Sequence, residues 1–263
     1  VTKFLFDQGC NIVDSAQFGD RSNGRFFLRI FFLSEAGAGL EALQAGFEAV
    51  AAPFDMDSAF HDTARKTRSL IMVSRFGHCL ADLLYRHRIG AMPIDIRLIV
   101  SNHRDFEDVA AASGIAYLHL PVTVDNKPVQ EARLLTEIAR QEIDLVVLAR
   151  YMQVLSPQVS EKLRGRIINI HHSFLPSFKG ARPYQQAHAR GVKLIGATAH
   201  YVTPQLDEGP IIEQAVERVG HGLSPEDYAA VGRDIENIVL ARAVKWHAEH
   251  RILLNGGRTV IFG

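Results

Sequence analysis

Polar side chains follow an apolar run in the second half of the chain. The segment "RIINIHH" places Asn169, His171 and His172 where a buried strand is expected to end. Buried polar groups are costly unless they are hydrogen-bonded or used in chemistry. Because side chains alternate along a strand, Asn169 and His171 are expected on one face and His172 on the other.

A second polar group follows in "GATAHYVTPQLDEGPII", where His200 ends a run of small residues and Asp207 lies in a turn rich in Gly and Pro. An amide, an imidazole and a carboxylate together suit acyl or formyl transfer. The amide and the imidazole N–H can stabilise an oxyanion, while the carboxylate orients the imidazole or handles a proton. By themselves these residues predict a hydrolase or a transferase.

The same residues have ordinary structural interpretations. A single His at a strand end more often packs or forms a hydrogen bond than takes part in catalysis, and "LDEGP" is a common turn sequence. His171, His172 and Asp207 could bind a metal ion, but adjacent His side chains on a strand diverge and no HExxH spacing is present. We therefore predict a site without a metal.

Composition narrows the function classes. The chain of 263 residues is long enough for two domains and for a core that needs no disulfide. Lys plus Arg equals Asp plus Glu at 29 each, which argues against an extended nucleic-acid or membrane surface. Cys10 and Cys79 form no spaced cluster, and neither a signal peptide nor a membrane span is evident. We expect a soluble cytoplasmic protein, truncated at its start because the chain begins without Met.

Strands and helices are predicted to alternate from residue 69 onward. Runs rich in Val, Ile and Leu are separated by amphipathic helical segments, and the runs cover residues 69–74, 94–102, 143–151 and 166–171. This alternation predicts an α/β fold with a mainly parallel sheet covered on both faces. Ligands of such open sheets bind outside the carboxyl ends of the strands, where Asn169 and His171 are expected.

The first sixty residues follow a different pattern. A helix tail ending at Gly9 precedes two strands, over 11–18 and 25–34, that are joined by the turn sequence "GDRSNG". A helix with apolar residues at helical spacing follows up to Pro53, and residues 55–62 could form one more short strand. This order predicts a split βαβ arrangement that lacks its first strand.

The motifs of the second part are together typical of one family. Residues 69–263 resemble the formyltetrahydrofolate-dependent hydrolases and transferases in "NIHHSFLPSFKGA" and in the stretch from "GATAHYV" to "LDEGPII". The likeness is greatest to the hydrolase branch, in "HCLADLLYR", "LARYMQVLS" and "ARAVKWHAEHR". The resemblance implies a Rossmann-like formyltransferase domain over 69–263. It also implies that residues 1–63 form an ACT-like ferredoxin fold, an α+β regulatory or oligomerisation domain truncated at its first strand.

The resemblance also implies a reaction. The hydrolase branch converts 10-formyltetrahydrofolate and water to tetrahydrofolate and formate, supplying one-carbon and purine metabolism. Asn169 and His171 would stabilise the oxyanion, and Asp207 would support His171 and the activation of water. His200 is expected behind these residues. Folate is the substrate, so no cofactor is expected.

The loop after the first strand of this domain bears on the choice between hydrolysis and transfer. Family members that formylate a ribonucleotide amine carry a Gly-rich loop there, whose N–H groups hold the phosphate. Here the loop is "SRFGHCL", with a single Gly. We expect Ser74 and His78 to close or polarise the acceptor side of the pocket, with His172 nearby, although plain packing at the helix start is an equal alternative for His78. This loop predicts hydrolysis.

Folate contacts are expected from three loops. By resemblance, "ARYMQVL" and "VTPQLD" would surround the pterin mostly with main-chain groups, at Arg150, Met152, Gln153, Leu155 and Thr203. The segment "FKGARPY" would form a mobile wall with Gly180 as a hinge. Lys179 or Arg182 could approach the acidic tail of the folate there, or could simply be solvated.

The predicted ACT-like domain suggests assembly. Such domains often bind small amino acids between paired subunits, at a turn that corresponds here to Asp7, Gly9 and Asn11. We expect its exposed sheet to pair with another subunit in a homo-oligomer, and an amino-acid effector is a further hypothesis. Two alternatives remain, a formyltransferase acting on an amine and a non-catalytic folate-binding or amino-acid-sensing protein. The intact trio of candidate catalytic residues argues against the second.

Overall fold

A computed structural model describes residues 1–177 and 183–263 of the chain. The chain divides into two compact units by its internal contacts. Unit 1 comprises Val1–Arg65, His250–Leu253 and Val260–Gly263, and unit 2 comprises Lys66–Glu249 and Leu254–Thr259. Within the described ranges, no helix combines the length and the apolar character that crossing a membrane would require.

Unit 1 contains a two-stranded antiparallel sheet between two helices in the chain. Helix α1 (Thr2–Asp7) leads into β1 (Cys10–Asp20), and a short turn leads into β2 (Arg25–Ser34). Helix α2 (Leu40–Ala51) follows and continues into a 3₁₀ turn at Ala52–Phe54. The order helix, strand, strand, helix is consistent with the predicted ACT-like domain that lacks its first strand.

Aromatic side chains pack around a small aliphatic core in unit 1 that contains Leu5 and Leu43. Phe47 on α2 is buried and makes edge-to-face contacts with Phe4 and Phe60. The prediction of a further strand over 55–62 is wrong, since these described residues contain no strand. Instead, the ring of Phe60 packs against Phe32 of β2 as well as Phe47. Apolar contacts, rather than strand pairing, hold this segment.

Unit 2 is built around a seven-stranded sheet. Its strands along the chain are β3 (Thr67–Val73), β4 (Ile94–Ser101), β5 (Ala116–His119), β6 (Leu145–Leu148), β7 (Ile167–His171), β8 (Leu194–Tyr201) and β9 (Ile211–Arg218). Across the sheet their order is β5-β4-β3-β6-β7-β8-β9. The strands from β5 to β7 pair in parallel, whereas β8 pairs antiparallel with both β7 and β9. The predicted mainly parallel sheet is confirmed.

Helices of unit 2 follow the strands as the sequence predicts. They are α3 (His78–Arg88), α4 (Glu107–Ala112), α5 (Lys127–Arg140), α6 (Pro157–Lys162), α7 (Pro183–Ala189) and α8 (Pro225–Ala248). A capping box begins α8, in which the side chains of Ser224 and Asp227 each accept a hydrogen bond from the other residue's backbone N–H. Helix α8 packs on β7, β8, β9 and α3.

The paired strands β10 (Ile252–Asn255) and β11 (Arg258–Ile261) end the chain.

The sheet has its topological switch point between β3 and β6. From β3 the chain builds outward through β4 to β5, and then returns to place β6 on the other side of β3. Residues 70–73 of β3 are almost fully buried, as expected for a central parallel strand. Ligands of such sheets bind in the crevice outside the carboxyl ends at the switch point. Ser74 and Arg150 lie just beyond the carboxyl ends of β3 and β6, beside the end of β7.

Candidate active site

His171, the last residue of β7, packs against the carboxylate of Asp207. Nδ1 of His171 lies 3.3 Å from Oδ1 of Asp207, and the two side chains are 7% and 10% exposed. Nε2 of His171 is buried and has no hydrogen-bond partner among the described residues. Buried polar atoms normally have a partner. One nitrogen of the ring therefore faces the carboxylate, and the other is left for a substrate.

Asn169, two residues earlier on β7, is oriented by His200 on the neighbouring strand β8. Nδ2 of Asn169 lies 3.2 Å from Nε2 of His200, and Nδ1 of His200 lies 2.9 Å from the carbonyl oxygen of Tyr201. A carbonyl only accepts, so Nδ1 of His200 carries the proton and Nε2 accepts from the amide. This network uses one N–H of Asn169 and leaves the second available.

Burial and neighbouring charges set the protonation states. Burial alone would raise the pKa of Asp207, but the hydrogen bond from His171 and the nearby imidazoles hold that pKa below its usual value. Burial lowers the pKa of His200 despite the adjacent carboxylate. Burial, helped by the charge of Arg150, lowers the pKa of His172 to about 3. At neutral pH the site therefore holds an ionised Asp207 and neutral His200 and His172.

The loop that carries Asp207 lies closely over the end of β8. A Cβ on Gly209 would be 1.7 Å from the carbonyl oxygen of Tyr201, so only glycine permits this approach. Asp207 itself adopts a left-handed conformation with φ of 56°. The hydroxyl of Thr203, a predicted folate contact, donates to the carbonyl of Gln205 at 3.1 Å and so holds this loop internally.

Thr198 of β8 fixes the chain that follows the catalytic strand. Its Oγ1 donates to the carbonyl of Ser173 at 2.9 Å and accepts from the N–H of Leu175 at 3.0 Å. The amide of Gln214 donates to the same oxygen at 2.9 Å. The segment immediately after His172 is therefore held against the sheet.

Ser74 ties together three strand ends rather than facing an open pocket. Its buried hydroxyl donates to Oδ1 of Asn102 at 2.7 Å and accepts from the N–H of Met152 at 3.0 Å. Its own N–H donates to the carbonyl of Arg150 at 3.3 Å. These bonds join the carboxyl ends of β3, β4 and β6, so Ser74 positions the loop over which folate contacts were predicted.

A second buried group of ionisable side chains is centred on Glu236 of α8, which is 0% exposed. Its Oε2 accepts from Nε2 of His78 at 2.8 Å, and its Oε1 accepts from the hydroxyl of Tyr184 at 2.6 Å. Nε of Arg150 lies 3.5 Å from Oε2. We call these four residues the Glu236 cluster. Burial would raise the pKa of Glu236, but His78, Arg150 and Tyr184 together lower it, so the carboxylate is ionised.

His172 connects this cluster to the catalytic strand. The ring centroids of His172 and His171 are 5.3 Å apart, and those of His172 and Tyr184 are 6.1 Å apart. His172, which directly follows β7, therefore lies between the catalytic strand and the Glu236 cluster.

The sequence interpretation missed Glu236 and Tyr184. The available signal was the position of Glu236 on the buried stripe of α8, four residues after Gly232 and four before Leu240. A carboxylate on an apolar stripe requires partners. Gly232 makes room for one of them, because a Cβ there would lie 2.1 Å from Cζ of Tyr184.

His78, Cys79 and Glu236 form the one group of possible metal ligands found in the described residues. Their chemistry does not suit a cation. Burial raises the pKa of the Cys79 thiol, so a thiolate is disfavoured there. Both oxygens of Glu236 are already bonded, and the guanidinium of Arg150 contributes a positive charge beside them.

A cleft lies between β3, the loops after β5 and β6, and helix α5. Its lining includes Tyr151, Gln153 and Leu155 of the loop after β6 and the polar residues Lys127, Gln130 and Glu131 of α5. Gln153 and Leu155 are predicted folate contacts. The side chain of Met152, a further one, is half exposed. The side chain of Arg150 turns instead to Glu236 and to the ring of Phe76. Gly180, with Lys179 and Arg182, lies outside the described residues.

The chain is similar to proteins of known name and known structure. A family model described as formyl transferase matches residues 67–244. A formyltetrahydrofolate deformylase from Corynebacterium sp. strain P-1 is 51% identical, over 99% of this chain and 92% of that protein. The solved structure of a formyltetrahydrofolate deformylase from Burkholderia mallei superposes with a TM-score of 0.95 and 53% identity, covering 100% of this chain and 93% of that one. Glycinamide ribonucleotide transformylase 1 from Symbiobacterium toebii has a TM-score of 0.72 and 30% identity, covering 79% of this chain and 99% of that one.

Proposed function

Because this chain belongs to the formyl transferase family, we propose that it hydrolyses 10-formyltetrahydrofolate to tetrahydrofolate and formate. Relatives named as deformylases match it over nearly its whole length, whereas the transformylase structure leaves about a fifth of the chain unmatched. Hydrolysis is therefore favoured over transfer to an amine. The observation that carries the mechanism is the His171–Asp207 pair, with Nε2 of His171 buried and unpartnered.

Asn169 and His171 stabilise the oxyanion that forms when the formyl carbon is attacked. The formyl oxygen lies between the second N–H of Asn169 and Nε2 of His171 in its protonated form. The neutral His200 accepts the other N–H of this amide and so fixes its orientation. Such fixed donors cost no reorganisation during the reaction, and the loss of one raises the barrier by about 3–4 kcal/mol.

Asp207 supports the protonated His171 and assists removal of a proton from the attacking water. Its depressed pKa keeps it ionised at neutral pH, so it stabilises positive charge on the imidazole. Water adds to the formyl carbon, and the bond between this carbon and N10 then breaks. One water proton reaches N10 through His171 or solvent, and formate leaves with one oxygen from the formyl group and one from water. Positioned proton transfer contributes about 10²–10⁴ in rate.

These roles require neither a metal nor a cofactor, since folate is the substrate and three side chains supply the donors and the base. The cleft lined by Gln153 and Leu155 binds the pterin part of the folate. The enzyme acts in the cytoplasm as a homo-oligomer, paired through the sheet of unit 1, and a small amino acid binds at that unit as an effector. The exposed aromatic residues Phe18 and Phe26 on this sheet support the pairing.

Formate release in the absence of an amine tests the function. Purified protein is incubated with 10-formyltetrahydrofolate in an amine-free buffer containing a chelator, and formate and tetrahydrofolate are both quantified. We expect equal amounts of the two products and no effect of the chelator. Formate that appears only after an amine is added would overturn hydrolysis, and activity that the chelator abolishes and a metal restores would overturn the metal-free mechanism.

A further inference from the structure

We propose that the Glu236 cluster fills the acceptor side of the active site and so restricts the formyl acceptor to water. This inference rests on the proposed hydrolysis and names what determines its specificity. The residues involved are His78, Arg150, Tyr184 and Glu236, of which the sequence pointed only to the first two.

The cluster occupies the place where an open α/β sheet normally binds a ligand. His78 begins α3 directly beyond the turn that follows β3, and Arg150 follows β6 by two residues. Since β3 and β6 are neighbours at the switch point, these side chains flank the crevice between their carboxyl ends. Both converge on Glu236 of α8, which closes the crevice from a third element.

The crevice is packed rather than open. Glu236 is fully buried, and the side chains of His78 and Arg150 are 15% and 8% exposed. The turn before α3 is covered as well, because a Cβ on Gly77 would lie 2.3 Å from the ring of Phe106. The ring of Phe106 therefore packs directly on the turn whose backbone would have to be open to a phosphate. The site therefore excludes a bulky phosphorylated acceptor.

The polarity of the cluster also favours water over an amine. Nη1 of Arg150 is buried and has no hydrogen-bond partner among the described residues, whereas Nε faces the carboxylate of Glu236 at 3.5 Å. A buried donor without a partner calls for a small acceptor of hydrogen bonds, and a water molecule meets that need. A larger amine acceptor would have to displace the packed side chains of the cluster, whereas water requires no such space. His172, in contact with both His171 and Tyr184, places this selective region next to the reacting centre.

A partition experiment tests the proposal. The protein is supplied with 10-formyltetrahydrofolate and a high concentration of glycinamide as a small amine, and the ratio of N-formylglycinamide to formate is measured. Arg150→Gly empties the crevice at a position whose φ of 63° suits glycine. We expect this variant to raise the ratio at least tenfold over the wild type. The control is Arg75→Gly, which removes an exposed charge from the turn between β3 and α3 and should leave the ratio unchanged.

The proposal would be overturned if Arg150→Gly folds, still releases formate and gives the same ratio of N-formylglycinamide to formate as the wild type. If Arg150→Gly does not fold, as judged by circular dichroism and urea unfolding, His78→Ala opens the crevice from the other side, and its ratio decides in the same way. Failure of the proposed function is distinguishable, because a wild-type protein that releases no formate without glycinamide contradicts hydrolysis itself. If the wild type hydrolyses the substrate and a variant raises the ratio of N-formylglycinamide to formate, the result supports restriction of the acceptor by the Glu236 cluster.

Discussion

Nδ1 of His171 lies 3.3 Å from Oδ1 of Asp207, and the opposite nitrogen of the same ring is buried without a partner. This relationship joins two distant segments, the end of β7 and the loop after β8, in one catalytic unit. The depressed pKa of Asp207 keeps its charge in place at neutral pH. The imidazole is therefore oriented and electrostatically supported before substrate arrives.

Replacing Asn169 with Ala should lower kcat by about 10²–10³, because one of the two oxyanion donors is lost. The Michaelis constant should change little, since the amide acts mainly in the transition state. Steady-state formate release gives both constants, and urea unfolding checks that the variant is folded. A kcat within threefold of the wild type would remove Asn169 from the oxyanion site.

The two adjacent imidazoles should differ sharply in importance. His171→Ala removes the group that pairs with Asp207 and should lower kcat by about 10²–10⁴. His172→Ala removes a neutral ring that packs against Tyr184, so a loss of less than tenfold is expected. Parallel measurements of kcat on the two variants make the comparison. The reverse order of effects would mean that the active face of β7 has been assigned wrongly.

His172 should make folding stability depend on pH. Its pKa is about 3 in the folded protein, against about 6.5 in an unfolded chain. Between these values the unfolded state binds more protons, so stability rises with pH and falls on acidification, by up to about 1.4 kcal/mol per pH unit. The free energy of unfolding of His172→Gln should therefore fall less between pH 7 and pH 5 than that of the wild type. Urea unfolding at the two pH values gives this decrease for each protein. An equal decrease in the wild type and in His172→Gln would contradict burial of a neutral His172.

Gly232 should be intolerant of a methyl group. A Cβ there would overlap Tyr184, whose ring must move and release its hydrogen bond to Glu236. Gly232→Ala is expected to lower the free energy of unfolding by about 1–3 kcal/mol. The control is Gly222→Ala, where a Cβ meets no atom within 4 Å. Urea unfolding followed by circular dichroism compares the two, and equal stabilities would argue against tight packing in the Glu236 cluster.

Alternation and turn chemistry account for what the sequence predicts about the catalytic strand. A buried run ending in polar residues at every second position puts Asn169 and His171 on one face at the carboxyl edge of a parallel sheet. The segment with Asp207 is recognisable as a turn, but its approach to His171 depends on Gly209 and on β8 lying antiparallel to β7. Strand direction is set by long-range pairing that local periodicity does not contain.

Elements whose position depends on distant contacts were the ones missed. Which carboxylate of helix α8 faces the switch point depends on the packing of α8 against β8, β9 and α3. Glu236 was overlooked for that reason. The composition of residues 55–62 allows a strand, but in the structure this segment pairs with no other strand. The ring of Phe60 holds it through contacts with Phe32 and Phe47.

The most direct measurement is the single-turnover rate of formate release from 10-formyltetrahydrofolate by Asp207→Asn, with Glu208→Gln as the matched control. Both variants change a carboxylate to an amide in the same loop, but Glu208 is exposed, whereas the side chain of Asp207 is buried against His171. We predict that Asp207→Asn slows the reaction by about 10²–10⁴ with folate binding nearly intact, and that Glu208→Gln reacts as the wild type does. An unchanged rate in Asp207→Asn would contradict the role of the His171–Asp207 pair in hydrolysis.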